Sequence, residues 1–195
     1  KNAQIEDFLS ARYEFRYNTV LHRAEFHPRG ASDYTTIDRY CINTLKRALD
    51  KEADVQTSPE NLYSIIESDF SPRINPVQVY FHSLPVMEAI EQEAITALAG
   101  SVIVANPEKW REYLTKWLVA VVANAMDNKQ CRNHTCLVLT GEQGKLKTTF
   151  LDLLCPPALS DYRYTGKIYP QEKDVLSLIG QNLIINIDDQ LKALN

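Results

Sequence analysis

The sequence has no apolar run long enough to cross a membrane and no recognisable signal peptide. A membrane-spanning helix needs about 20 consecutive apolar residues, and charged or polar residues interrupt every apolar stretch of this chain well before that length. The opening residues, KNAQIEDF, lack an initiator methionine and any targeting pattern. We therefore expect a cytoplasmic segment of a longer protein that does not act at a membrane.

The sequence also lacks an excess of positive charge. Its 21 lysines and arginines are outnumbered by 25 aspartates and glutamates, giving a net charge of −4. A stand-alone nucleic-acid-binding domain is usually basic, so this balance argues against that class. The charge balance is compatible with a motor that binds DNA through a few loop lysines.

Cysteines are few and unevenly placed, at Cys41, Cys131, Cys136 and Cys155. This pattern gives no disulfide framework and favours a reduced, cytosolic setting. Cys131, His134 and Cys136 lie close together in sequence, but no second ligand pair follows at zinc-site spacing. Zinc is therefore not expected.

Glycine is scarce, with six residues in all, yet two of them stand in one loop, at Gly141 and Gly144. The stretch 135–149, TCLVLTGEQGKLKTT, combines an apolar run, a glycine-bearing turn and a predicted helix start. We interpret the apolar run as a buried strand, because strand, loop and helix in this order form a P-loop. Counted from Gly141, Lys147 and Thr148 occupy the seventh and eighth positions of G-x-x-x-x-G-K-[ST].

The P-loop interpretation assigns a role to each part of the loop. Its amides and the positive helix end face phosphates, Lys147 adds a cation for the outer phosphates, and the Thr148 hydroxyl reaches a magnesium ion. The predicted nucleotide-binding residues are Gly141, Glu142, Gln143, Gly144, Lys145, Leu146, Lys147, Thr148 and Thr149.

The second glycine of the pattern is missing, since position 146 is Leu146. Gly144 lies two residues earlier and supplies part of the missing backbone freedom. If position 146 requires a positive φ, leucine costs about 1–2 kcal/mol there. A micromolar nucleotide site is worth about 8 kcal/mol, so the departure weakens the prediction without removing it.

A second stretch, LIINIDD at residues 183–189, supports the first. Its branched apolar residues predict a strand that delivers Asp188 and Asp189 to the phosphate end of a parallel sheet. We assign Asp188 to magnesium and Asp189, as the catalytic residue, to the attacking water. The alternative is a buried strand followed by a solvated acidic turn.

These residues resemble the virulence-associated protein E family, P-loop proteins of phages and mobile elements related to primase-helicases. The resemblance rests on LVLTGEQGKLKTTFLDLLCP and LIINIDD, and more loosely on YEFRYN, INPVQVYFHSLP and the Trp-containing helix before the loop. It implies an ATP- and Mg²⁺-dependent enzyme acting on DNA during replication of mobile elements. It also implies a homo-oligomeric ring in which a neighbour's arginine completes each site.

The expected fold class is α/β, with three parts. Residues 1–75 form a small, mainly helical α+β domain, 76–130 a helical connecting region, and 131–195 the first part of a P-loop NTPase parallel sheet with flanking helices. Such an enzyme needs a sheet of about five strands, so we expect the sensor residue and arginine finger beyond Asn195. Turnover is accordingly expected of the longer parent rather than of this fragment.

The spacing of apolar residues predicts both helices and strands along the chain. Helices are predicted over 3–12, over 36–49 with Tyr40 on the apolar face, from Pro59 with Ser58 as cap, over 76–84 and 87–98, and over 171–179 with Gly180 as the end. The longest helix is predicted from Pro107, with Asn106 as cap and an apolar stripe from Trp110 to Ala125. Strands are predicted over 13–17, 24–26 and 183–187, the first two pairing as a hairpin. Residues 69–76 are predicted as a linker, and Tyr162 to Lys167 as a connection. The arginines and tyrosines of the first thirty residues suit nucleic-acid contact, but a small sheet with a solvated charged face is favoured. The helix pair beside that sheet is either a winged-helix-like DNA module or a packing platform.

Two other functions remain open. A small-molecule or nucleotide kinase would use the same phosphate-binding loop, but it needs a mobile lid, and no arginine-rich lid segment is found. A degenerate P-loop used for interaction or assembly is kept open by Leu146. No acidic primase triad is apparent in the first hundred residues, so primase activity is not assigned.

Overall fold

The computed structural model describes residues 1–85, 91–127 and 135–187. The fold is mixed α/β with small sheets. The chain divides into two compact units, residues 1–76 and residues 77–195. The three-part division expected from the sequence stays a prediction.

The first unit is a four-stranded sheet with three helices. Its elements are α1 (Asn2–Arg12), β1 (Tyr13–Asn18), β2 (Arg23–Pro28), β3 (Thr35–Thr36), α2 (Arg39–Ala53), α3 (Pro59–Ile66) and β4 (Arg73–Ile74). The strand order is β3-β2-β1-β4. β1 and β2 pair antiparallel with Phe15 opposite Phe26, which confirms the predicted hairpin, while β4 lies parallel to β1.

One face of this sheet and the inner faces of the three helices form the core of the first unit. Phe15 stacks on Phe26 with ring centroids 5.8 Å apart. The helical residues that are fully or almost fully buried recur at three- and four-residue steps, as on an amphipathic helix: Ile5, Phe8, Leu9, Ile42, Leu45, Leu49, Leu62, Ile65 and Ile66. Ser58 caps α3 as predicted, its hydroxyl accepting from the Asn61 amide at 3.1 Å.

The opposite face of the sheet carries a buried carboxylate, Glu25, only 3% exposed. It forms ion pairs with Arg16 at 2.7 Å and Arg23 at 3.0 Å and accepts a hydrogen bond from the Asn18 amide at 3.0 Å. Burial alone would raise the pKa of Glu25, but these donors together lower it below its usual value. This face is therefore ion-paired and partly buried, rather than the solvated face that was expected.

Two short strands were not foreseen. α2 begins at Arg39 rather than at Thr36 because Asp38 caps it, accepting from the Cys41 amide at 2.8 Å; Thr35 and Thr36 instead form β3. Tyr40, predicted on the apolar face of this helix, is 78% exposed. The predicted linker contains β4. Tyr17 N of β1 donates to Pro72 O, just before β4, and Thr19 N donates to Ile74 O within β4, both at 2.9 Å.

The second unit is mainly helical. Its elements are α4 (Pro76–Ser83, starting at the last residue of the first unit), α5 (Glu91–Gly100), α6 (Pro107–Met126), α7 (Lys147–Leu153), a 3-10 helix (Pro157–Tyr162), β5 (Arg163–Gly166), α8 (Val175–Gln181) and β6 (Ile184–Ile187). β5 and β6 pair in parallel. The segment predicted as a connection thus contains strand β5, which β6 stabilises. Gly180, predicted to end a helix, lies inside α8.

The longest helix, α6, begins at the predicted cap, with Asn106 accepting from the Lys109 amide at 3.0 Å. Trp110 and Leu114 are buried with Ala99, and the Trp110 indole donates to the Ala99 carbonyl at 3.0 Å. The predicted apolar stripe is only partly covered, since Val122 is 38% exposed. The described ranges contain a two-stranded parallel sheet in this unit, not five strands. Across the same ranges, every helix is too short or too polar to span a bilayer.

Candidate functional site

The segment before the glycine-bearing loop is not a strand. Residues 135–140 pair with no strand of the described part of the chain, so the predicted buried strand is wrong. Leu137 and Leu139 pack against the Trp110 cluster, whereas Val138 is 48% exposed and Cys136 is exposed. The apolar side chains thus pack against α6, while no strand within the described ranges pairs with this backbone.

The loop at 141–146 has left-handed backbone at Gly144 and at Leu146, and the second of these is the position where the sequence pattern expects glycine. Gly144 has φ of 79° and Leu146 has φ of 56° and ψ of 25°. Position 146 therefore does require a positive φ, which costs leucine about 1–2 kcal/mol. The Leu146 side chain is 72% exposed, so packing offers it little compensation.

Helix α7 begins directly after this strained residue, and its first side chain turns back over the loop. The Lys147 ammonium donates to the carbonyl of Gly141 at 3.1 Å and to that of Glu142 at 2.7 Å. Lys145 instead lies 3.6 Å from the Glu142 carboxylate, on the exposed surface. The two lysines of the loop therefore have different partners, carbonyls for one and a carboxylate for the other.

Strand β6 lies beside α7. The Asn186 amide donates to the Asp152 carboxylate at 2.9 Å and to the Thr148 carbonyl at 3.3 Å. The Thr165 hydroxyl of β5 donates to the same Asp152 oxygen at 2.6 Å. Burial would raise the pKa of Asp152, but the hydrogen bonds from Thr165 and Asn186 and the Arg163 charge lower it. A polar network thus joins α7, the loop helix that follows the glycine-bearing loop, to β6, the strand that leads to Asp188.

Three residues of this network, Asp152, Thr165 and Asn186, were missed as functional candidates. Asn186 did carry a signal, since it interrupts a run of isoleucines and a buried strand amide needs hydrogen-bond partners. Asp152 and Thr165 carried none, because only the fold brings them to Asn186.

A cavity of about 600 Å³ adjoins the loop helix. It is lined by Lys147 and Thr148, by residues 135–139 and by the four residues of β6, with Trp117 and Leu151. Its volume falls within the range of about 300–1,000 Å³ that small-molecule sites occupy. Of the predicted site residues, Lys147 and Thr148 share this cavity.

Two predicted site residues and two residues of the rejected zinc pattern lie outside the described ranges. These are Asp188, Asp189, Cys131 and His134; the last described residue before the two aspartates is Ile187. The roles assigned to both aspartates stay predictions. Within the described ranges, no three His, Cys, Asp or Glu side chains cluster as a metal site would require.

Comparison with known families bears on this unit. A family model described as the virulence-associated protein E-like domain matches residues 84–194, more than half of the chain. The matched range contains the glycine-bearing loop, the network around Asp152 and the strand β6. The chain belongs to the virulence-associated protein E-like family, which confirms the resemblance noted in the sequence. No curated protein matches the chain.

Proposed function

We propose that the second unit binds ATP with Mg²⁺ and serves as the NTP-hydrolysing module of a mobile-element, primase-helicase-like protein acting on DNA. The observation that carries this proposal is the contact between the loop helix and β6, with the Asn186 amide 3.3 Å from the Thr148 carbonyl. It brings the loop next to the strand that precedes Asp188 and Asp189. Phosphoryl transfer needs a phosphate-binding loop and metal-binding carboxylates at one place.

The position of Lys147 supports a phosphate-binding role. Its ammonium is held by two neutral carbonyls, those of Gly141 and Glu142. An incoming phosphate would replace two neutral acceptors with a charged one, and charge-assisted hydrogen bonds are roughly twice as strong as neutral ones. In this proposal Lys147 binds the outer phosphates while the loop amides surround them.

The remaining roles follow from the same arrangement. Thr148 would hold the magnesium ion through its hydroxyl, Asp188 would bind that ion's water shell, and Asp189 would orient the attacking water. The other loop residues, from Gly141 to Leu146 and Thr149, would contribute backbone contacts to the phosphates. DNA is the proposed partner of the intact protein, and a ring with a neighbour's arginine the proposed assembly.

The test compares two lysines of one loop in the intact protein. Lys147→Ala is expected to weaken binding of labelled ATP at least tenfold, because one charged hydrogen-bond partner is worth about 1.5–3 kcal/mol. Lys145→Ala is the matched control, since that exposed lysine pairs with Glu142; its affinity should change less than about twofold. Equal affinities of wild type and Lys147→Ala would refute the assignment.

Hydrolysis assays separate the alternatives. ATP hydrolysis stimulated by single-stranded DNA supports the motor, and a phosphorylated acceptor would indicate a kinase. The strained Leu146 favours one further alternative, a degenerate loop that serves assembly. Calorimetry of the intact protein showing no ATP binding in the presence of magnesium would favour that alternative and overturn the proposal.

A further inference from the structure

Helix α7 has few of the local features that stabilise a helix. It has seven residues, no side-chain cap and no fully buried residue, and a helix of two turns is not stable by itself. The preceding Leu146 is strained. The position of α7 must therefore depend on contacts with neighbouring elements.

The network around Asp152 supplies such contacts from two strands at once. Thr165 and Asn186 are aligned partners in the β5–β6 pair, and both donate to the same carboxylate oxygen of Asp152. Arg163 of β5 also donates to the Asp152 carbonyl at 2.7 Å. One residue of α7 thus connects the helix to both strands of the sheet.

Asn186 makes a second contact nearer the start of α7. Its amide nitrogen reaches the Thr148 carbonyl as well as Asp152, and these residues are four positions apart, on successive turns of one helix face. Asn186 is 5% exposed, so its amide is desolvated and has a strong requirement for both acceptors. The amide therefore contacts two successive turns of α7 from β6, while Phe150 of the same helix packs on Trp110 with ring centroids 6.0 Å apart.

We propose that Asn186 is a positioning residue for the magnesium-nucleotide site. It would hold Thr148, the proposed magnesium ligand, in a fixed position against β6. This inference rests on the proposed function. It predicts that loss of the Asn186 amide affects the magnesium-dependent part of nucleotide affinity, since the Lys147 contacts with the Gly141 and Glu142 carbonyls lie within the loop and do not involve Asn186.

The experiment measures ATP affinity with magnesium and in EDTA for the intact protein. Asn186→Leu is expected to reduce the affinity gain produced by magnesium about tenfold, the effect of losing one hydrogen-bonded positioning contact. Affinity in EDTA should stay within about twofold of wild type. Asn182→Leu is the matched control, because the Asn182 amide donates to the Leu178 carbonyl at the end of a different helix, α8, at 2.8 Å; it should keep the full magnesium gain.

A structural role alone gives a different result. Asn186→Leu would then lower the melting temperature and leave the ratio of the two affinities unchanged, which would overturn the inference. If Asn186→Leu does not fold, Thr165→Val is measured instead, because this substitution removes one donor to Asp152 and keeps the Asn186 amide. The affinity gain produced by magnesium should then fall about threefold. An unchanged gain counts against the inference. If wild type binds ATP, the binding depends on Lys147, and both variants keep the affinity gain produced by magnesium, this inference alone is overturned. Wild type without ATP binding overturns the proposed function with it.

Discussion

Two exposed leucines at the ends of α7 allow the backbone strain at the loop to be measured. Leu146 is 72% exposed with φ of 56°, and Leu153, in the right-handed helix, is 76% exposed. Replacing each by glycine removes the same side chain from nearly the same degree of exposure. The pair therefore differs mainly in the sign of φ.

The expected magnitudes follow from that difference. Each leucine keeps about a quarter of its burial, so its loss costs about 0.5 kcal/mol, and glycine adds about 0.4–1 kcal/mol through backbone entropy. At position 153 nothing offsets these terms, and Leu153→Gly should destabilise the second unit by about 1–1.5 kcal/mol. At position 146 the relief of about 1–2 kcal/mol of left-handed strain offsets them, so Leu146→Gly should be close to neutral.

Thermal and urea unfolding of the two variants provide the assay. The expected difference in unfolding free energy is about 1.5 kcal/mol, which corresponds to roughly 3–6 °C in melting temperature for a protein of this size. Equal destabilisation by the two substitutions, within about 0.5 kcal/mol, would refute the argument that residue 146 is strained.

Two further predictions concern stability. Glu25→Gln should destabilise the first unit by about 3 kcal/mol, because it leaves Arg16 and Arg23 without their buried carboxylate. Since the folded pKa of Glu25 is lowered, its contribution to stability is complete above the unfolded pKa of about 4.3 and is lost as pH falls through the folded pKa. Below about pH 5, the unfolding free energy of the variant should therefore depend less steeply on pH than that of wild type. An identical slope would contradict the assignment. Asn106→Ala should cost about 1 kcal/mol through loss of the α6 cap, measured by urea unfolding against Asn124→Ala, an exposed asparagine inside the same helix; equal effects of the two would contradict the capping role.

The sequence predicts elements with strong local signals. Ser58 and Asn106 precede prolines and acidic residues, and both cap helices as their sequence context indicates. The hairpin of β1 and β2 follows from alternation of aromatic and charged residues. These features depend on neighbours within a few positions, which a sequence displays directly.

The errors occur where a distant partner decides the structure. Residues 135–140 have the composition of a buried strand, but a strand needs a paired neighbour, and composition does not reveal one. β3 and β4 have two residues each, too few for a periodic pattern. The link between Asp152 and Asn186 spans 34 positions. The left-handed backbone at Leu146 was foreseen only as a condition, because the motif places a glycine there while the residue itself disfavours that conformation.

The parallel pairing of β4 with β1 has a consequence for synthesis of the chain. The Thr19 hydroxyl also donates to the Ile74 carbonyl, a contact across 55 positions. At about 5–20 residues per second, a ribosome adds that many residues in roughly 3–11 s. During this interval the edge of β1 that pairs with β4 is open in the nascent hairpin, and the Tyr17 amide is hydrated. The four-stranded sheet is completed only when β4 emerges from the ribosome.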